Sequence, residues 1–189
     1  MLVLILGLVI FFAVHLVRVV APGWRQAQVA AAEGRWKGIY SFASLAGFVL
    51  IVWGWIIYRP EAPQVYVPPD WGRHLTMLFV WLALIFVVAA YQPAGRIKAA
   101  LQHPFLVGVI LWSIGHLLAN GDLAGVLVFG AFLIYGVVDL MASSRRNQPQ
   151  AVFSTYRGDV VAIAVGTAAY LLLVFWLHAV LFGVSPLGG

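Results

Sequence analysis

The 189-residue chain contains no cysteine, and only 9% of its residues carry charge. Without cysteine there is no disulfide frame, no thiol nucleophile and no thiolate metal ligand. A soluble domain carries roughly 25% charged residues, so the scarcity of charge excludes a water-soluble globule of this size, whose surface must face water. A disordered chain is excluded too, because such chains are poor in apolar residues. The P-loop, the glycine-rich dinucleotide fingerprint, His-Glu-x-x-His and Gly-x-Ser-x-Gly are all missing, which removes the usual hydrolase and ATPase classes. The net charge is +5. Its Lys and Arg residues nevertheless lie singly or in pairs between apolar runs, as in the loops of a membrane protein, so nucleic acid is not an expected partner.

What is present is hydrophobic: 63% of the residues, with a mean hydropathy of +0.99. Apolar runs at about 2–20, 38–58, 74–91, 104–119, 123–140 and 160–182 are long enough for helices that cross a bilayer, which takes about 20 residues. They are apolar on all sides and lack the alternation of barrel strands. The expected fold is all-α, an integral membrane bundle of six transmembrane helices forming one domain over residues 1–189. The first run lacks a basic segment before its apolar core and reads as a retained span rather than a signal peptide. Pro104 suits the first turn of a helix, and Asn120-Gly121-Asp122 reads as a tight turn joining two antiparallel spans. Eight basic residues (Arg25, Arg35, Lys37, Arg96, Lys98, Arg145, Arg146 and Arg157) follow spans one, three and five, against Arg59 and Arg73 on the other side. By the positive-inside rule both termini face away from the cytoplasm. Residues 142–158 are expected to be a flexible loop, and residues 60–72 to lie at the outer interface.

In such a background an ionisable residue within a span is a functional hypothesis. Of five histidines, His15, His116 and His178 fall inside spans, while His74 and His103 fall at span starts. Headgroup contacts account for His74, and the outer end of its span accounts for His178. His15 and His116 lie about 6 and 7 Å from the centres of their spans at 1.5 Å per residue. Imidazole at such depth ligates metals or haem iron, or moves protons. Arg18 follows His15 by three residues and shares its helix face. It can bind an anionic group there or reach the headgroups. Asp139 is a possible partner for Arg18, and Asp122 for a histidine near the outer end. His103 is a helix cap or a ligand, but it lies about 20 Å along the helix from His116, so the two cannot share one ion. Trp112, one turn before His116, lines a cofactor pocket or simply packs.

Three stretches carry a resemblance. Residues 7–18 (GLVIFFAVHLVR), 34–41 (GRWKGIYS) and 103–122 (HPFLVGVILWSIGHLLANGD) resemble NnrU proteins. That family implies a bacterial inner-membrane protein associated with nitrite and nitric oxide metabolism, with denitrification proteins as possible partners. Its relationship to a plastid carotenoid isomerase implies haem b with His15 and His116 as axial ligands, and His103 matches its His-Pro; Arg18 and Trp112, from their places beside the two histidines, are with His103 the further cofactor-binding candidates. The relationship also implies isomerisation of an apolar, isoprenoid-like lipid as a possible chemistry. The isomerase has further histidines around the span-five position, where this chain has Tyr135 and no histidine. Two alternatives stand beside haem chemistry. One is a non-enzymatic accessory or maturation subunit of a denitrification complex. The other is a small S-adenosylmethionine-dependent membrane methyltransferase, suggested by His103-Pro104.

Overall fold

The computed structural model describes residues 1–146 and 149–187. Eight α-helices account for most of them: α1 (Leu2–Val20), α2 (Pro22–Tyr58), α3 (Gly72–Ala90), α4 (Arg96–Leu101), α5 (Pro104–Ala119), α6 (Leu123–Ser144), α7 (Arg157–Leu172) and α8 (His178–Phe182). A π-helical turn, Leu173–Leu177, joins the last two. Among the described residues the only β pairing is an isolated antiparallel bridge between Gln64 and Asp122. The chain divides into two compact units: residues 1–67 with 121–131, and residues 68–120 with 132–189.

In the first unit α1 packs along α2. Three glycines make the seam. A Cβ on Gly7 would lie 2.8 Å from the Leu50 carbonyl carbon, one on Gly47 2.7 Å from the Phe11 nitrogen, and one on Gly54 2.6 Å from the Leu4 Cα. Steps forward along α1 match steps back along α2, so the helices are antiparallel. In lipid, where burial of apolar side chains gives little drive, such backbone approach supplies the van der Waals contact that holds helices together. Leu4 is wholly enclosed. Helix α2 is not one rod: Ala32 leaves helical geometry (φ −162°, ψ 80°) and divides it. Pro22 occupies the first helical turn, where a missing N–H costs nothing. At the other end of the unit Asp122 caps α6 by accepting from the Gly125 amide (2.8 Å) and pairs with Arg59 (3.8 Å). Arg59 in turn covers the Trp55 ring at 4.8 Å.

In the second unit α3 is flanked by α5 and α7. Glycines again set the approach: Gly108 faces the Ala83 carbonyl, Gly115 faces Thr76, and Gly166 faces Ile85. Thr76 Oγ1 lies within hydrogen-bond reach of the Gly72 and Gly115 carbonyls, 2.8 and 2.5 Å away. Trp81 Nε1 donates to Thr167 Oγ1 (2.9 Å), beside a core of Ile85, Ala89 and Ala162. Polar groups finish one end. Asp159 accepts from the amides of Arg96 (2.7 Å) and Ile97 (3.0 Å), the donors that the first turn of α4 leaves unpaired. Lys98 Nζ donates to the carbonyls of Ala90 and Gln92, capping α3.

Among the described residues, five helices or continuous helical segments, at 2–20, 22–61, 72–90, 123–144 and 157–182, are long and apolar enough to cross a membrane. The chain is thus an all-helical, multi-pass membrane protein. Helix α5 is apolar but has 16 residues, about 24 Å at 1.5 Å per residue against a hydrocarbon layer of about 30 Å. The expected second span begins 16 residues early in sequence, because the kinked arm 22–31 is helical as well. Part of the expected flexible loop is docked. Ala151 exchanges two hydrogen bonds with the Gln102 amide, and the Ser154 and Thr155 amides donate to the Ala94 carbonyl. Asn147 and Gln148 of that loop lie outside the described residues.

Candidate functional site

His15 sits on α1, half-buried. Its Nδ1 lies 2.6 Å from the Phe11 carbonyl oxygen, one turn back. A carbonyl can only accept, so Nδ1 carries the proton, and in the neutral ring Nε2 then carries the lone pair. The Phe11 ring stacks on the imidazole (centroids 4.0 Å apart, 22° between planes), and Tyr40 of α2 lies 5.2 Å away. Arg18 is exposed on the last turn of α1.

His116 on α5 repeats the arrangement in the second unit. Its Nδ1 lies 2.8 Å from the Trp112 carbonyl, and the Trp112 ring is 5.0 Å from the imidazole. Trp112 is itself held edge-on by Phe132 of α6 (5.5 Å). Asn120 donates to the His116 carbonyl (2.8 Å) and so secures the end of the helix. The same element, an aromatic residue four positions before a histidine whose Nδ1 it engages through its backbone, therefore occurs once in each unit. A hydrogen bond from Nδ1 to a backbone carbonyl is the usual outer-shell support of a histidine that ligates metal through Nε2.

The remaining candidates sort differently. His103 is the residue before α5, with φ −122° and ψ 59°. Its carbonyl accepts from Leu106 and Val107, so its place is that of a helix cap, at the far end of α5 from His116. His74 is exposed in the first turn of α3. His178 follows the π-helical turn, its Nδ1 2.7 Å from the Val184 carbonyl. Asp122, expected beside a histidine, is engaged with Arg59 and Gly125 instead.

Asp139, named from the sequence as a possible partner for Arg18, centres a cluster that the sequence reading did not assemble, with Tyr135, Ser143 and Arg146. Asp139 of α6 is fully enclosed. It accepts from Tyr135 Oη (3.1 Å) and Ser143 Oγ (3.4 Å) and pairs with Arg146 (3.5 Å). Tyr135, Asp139 and Ser143 are spaced i, i+4, i+8, one stripe of the helix, and that spacing was the available signal. Among the described residues no group of three or more His, Cys, Asp or Glu side chains is placed to hold a metal ion; haem needs at most two axial ligands.

The model of one protein family, described as NnrU protein, matches residues 3–186, nearly the whole chain. No curated protein and no solved structure matches it.

Proposed function

Because the chain belongs to the NnrU family, we propose that it is a bacterial inner-membrane protein of nitrite and nitric oxide metabolism that binds haem b through His15 and His116. The observation that carries this reading is the repeated aromatic-and-histidine element on α1 and α5. Each imidazole has its Nδ1 committed to a backbone carbonyl, which fixes the tautomer that ligates through Nε2. The donor set suits haem iron, which takes neutral imidazole as an axial ligand. Haem b, when bound, would supply a redox-active iron. The chain's own part would be to hold each imidazole at a fixed angle on its own helix. Phe11 and Trp112 fix those rings by their backbone bonds and ring contacts. Arg18, three residues from His15, is the cation for an anionic edge of the cofactor. In this reading the basic loops face the cytoplasm and both termini the periplasm.

Full-length protein, produced with ample haem and purified in detergent, is expected to show a Soret band. The band is lost in His116→Ala and lost or shifted in His15→Ala. His103→Ala leaves it in place, because His103 caps the opposite end of α5. Folded protein without a Soret band overturns the proposal, as does a band indifferent to both ligand substitutions.

A further inference from the structure

The arm 22–31 and the residues after its kink form an elbow that the haem reading does not use. Within the arm, Trp24, Ala27 and Ala31 are spaced i, i+3, i+7 and share one helix face. All three are exposed, Trp24 to 55%. Across the kink at Ala32, Trp36 meets Trp24 edge to face at 5.5 Å. Arg25 and Arg35 are both exposed and flank this pair. Lys37 is matched by Glu33 at 2.7 Å, so the two arginines are the excess charge of the elbow. The arm precedes an apolar segment that crosses the bilayer, which brings it to the membrane surface.

Each feature has a reason at that surface. Tryptophan belongs where one edge of the ring is apolar and the other wet. A short helix with one apolar stripe lies in the plane of the headgroups, and arginine matches a phosphate with two parallel N–H groups. A solvated loop explains the charges but leaves the exposed Trp24 indole in water, with only an edge contact from half-buried Trp36. Packing explains neither, because the stripe is uncovered. We propose that the elbow of residues 22–37 is a docking site for anionic phospholipid headgroups, with Arg25 and Arg35 on the phosphates and the Trp24–Trp36 pair at the acyl boundary. The charge complementarity commits it to an anionic lipid surface rather than to a second protein.

The absence of native cysteine makes the test direct. The full chain carrying Ala27→Cys or Gln26→Cys is spin-labelled and reconstituted in phosphatidylcholine vesicles with or without phosphatidylglycerol. Residues 26 and 27 are about 100° apart on the helix. The label at 27 is expected to collide with oxygen dissolved in the bilayer, and the label at 26 with a water-soluble paramagnetic reagent. Equal exposure of both labels to the aqueous reagent overturns the proposal. So does shielding of label 27 from both reagents, which signals a protein partner or a second copy. A second measurement competes spin-labelled phosphatidylglycerol against phosphatidylcholine for the protein. Arg25→Gln and Arg35→Gln are each expected to lower the preference for phosphatidylglycerol about fivefold, and high salt to lower it in the parent but not in the double variant. An unchanged preference in the double variant places the anionic lipid elsewhere and overturns the assignment. Both arginines are exposed, so an unaltered helical spectrum is the control for folding.

Discussion

The two units solve helix association in different ways. In the first, α1 and α2 meet along a seam whose close contacts are backbone to backbone, opened by Gly7, Gly47 and Gly54. In the second, α3 also meets α5 and α7 through glycines, but the polar side chains at one end are more numerous than the Asp122–Arg59 group of the first. There Asp159 caps α4, Lys98 caps α3 and Gln102 holds Ala151. The contrast follows from what each must hold. A two-helix seam within lipid has only shape to work with, since leucine is as content against lipid as against a helix. Loops at the water boundary carry backbone groups that must be paired, and there polar side chains are worth their desolvation. The histidine-bearing element is common to both units: in each, the carbonyl one turn back holds the imidazole Nδ1.

The largest expected effects fall on the first seam. A methyl at Gly54 or Gly47 lands on the backbone of Leu4 or Phe11, which cannot rotate out of the way as a side chain would. Gly54→Ala and Gly47→Ala should each cost about 3 kcal/mol by overpacking, read as the loss of thermal stability in detergent. Gly38 and Gly130 have nothing within 4 Å of a built Cβ. There alanine should be neutral or stabilise by up to about 1 kcal/mol through helix propensity. Equal costs at all four sites would mean that the seam is not what holds the unit.

The second unit should break at its polar end. Asp159→Ala strands the amides of Arg96 and Ile97 and should cost about 1–3 kcal/mol. Asp159→Asn keeps one carbonyl oxygen for two donors and should fall between. Limited proteolysis gives an independent readout, with cleavage within 149–157 appearing in the alanine variant first. If the three proteins resist protease alike, the docking of that segment rests on other contacts.

The helices were legible in the sequence wherever charge was absent and the ends were marked. Helix α1 matches its expected limits, and α5 runs from Pro104 to Ala119 as read, because proline at the start and Asn120 at the end leave little choice. The arm 22–31 was missed because Arg25, Gln26 and Gln28 interrupt the apolar run, and hydropathy does not separate a helix lying on the surface from a loop. The docking of 149–157 was missed for another reason. It depends on backbone carbonyls and one glutamine amide, and these leave no periodicity. Depth alone selected His15 and His116 as candidates. The bond from Nδ1 to the carbonyl four residues back was not legible, although an aromatic at that position in both helices was a sign of it.

Within the second unit, Gln102 separates two contributions. Its side chain bonds Ala151 at both ends, yet its backbone has φ +59°, where a side chain is strained. Removing the amide in Gln102→Ala should cost about 1–2 kcal/mol. Gln102→Gly loses the same bonds but relieves the backbone, and should recover about 1 kcal/mol of that. If glycine proves worse than alanine, the positive φ is not a strain in the folded chain.

The smallest effect should come from the exposed Glu33–Lys37 pair of the first unit. The hydrogen bond from Lys37, and then its charge, hold the Glu33 carboxyl below its usual range. A lowered folded pKa stabilises above the unfolded value and loses that contribution as pH falls through the folded one. Any gain from this pair is therefore present at neutral pH and fades in acid. Both side chains are more than half exposed, water and salt screen them, and such pairs contribute little. Glu33→Gln should leave thermal stability unchanged at neutral pH and in acid alike, while Asp159→Ala does not. A loss in Glu33→Gln comparable to that in Asp159→Ala would mean that polar pairing matters as much to the first unit as to the second, and the contrast between a seam of shape and an end of hydrogen bonds would fail.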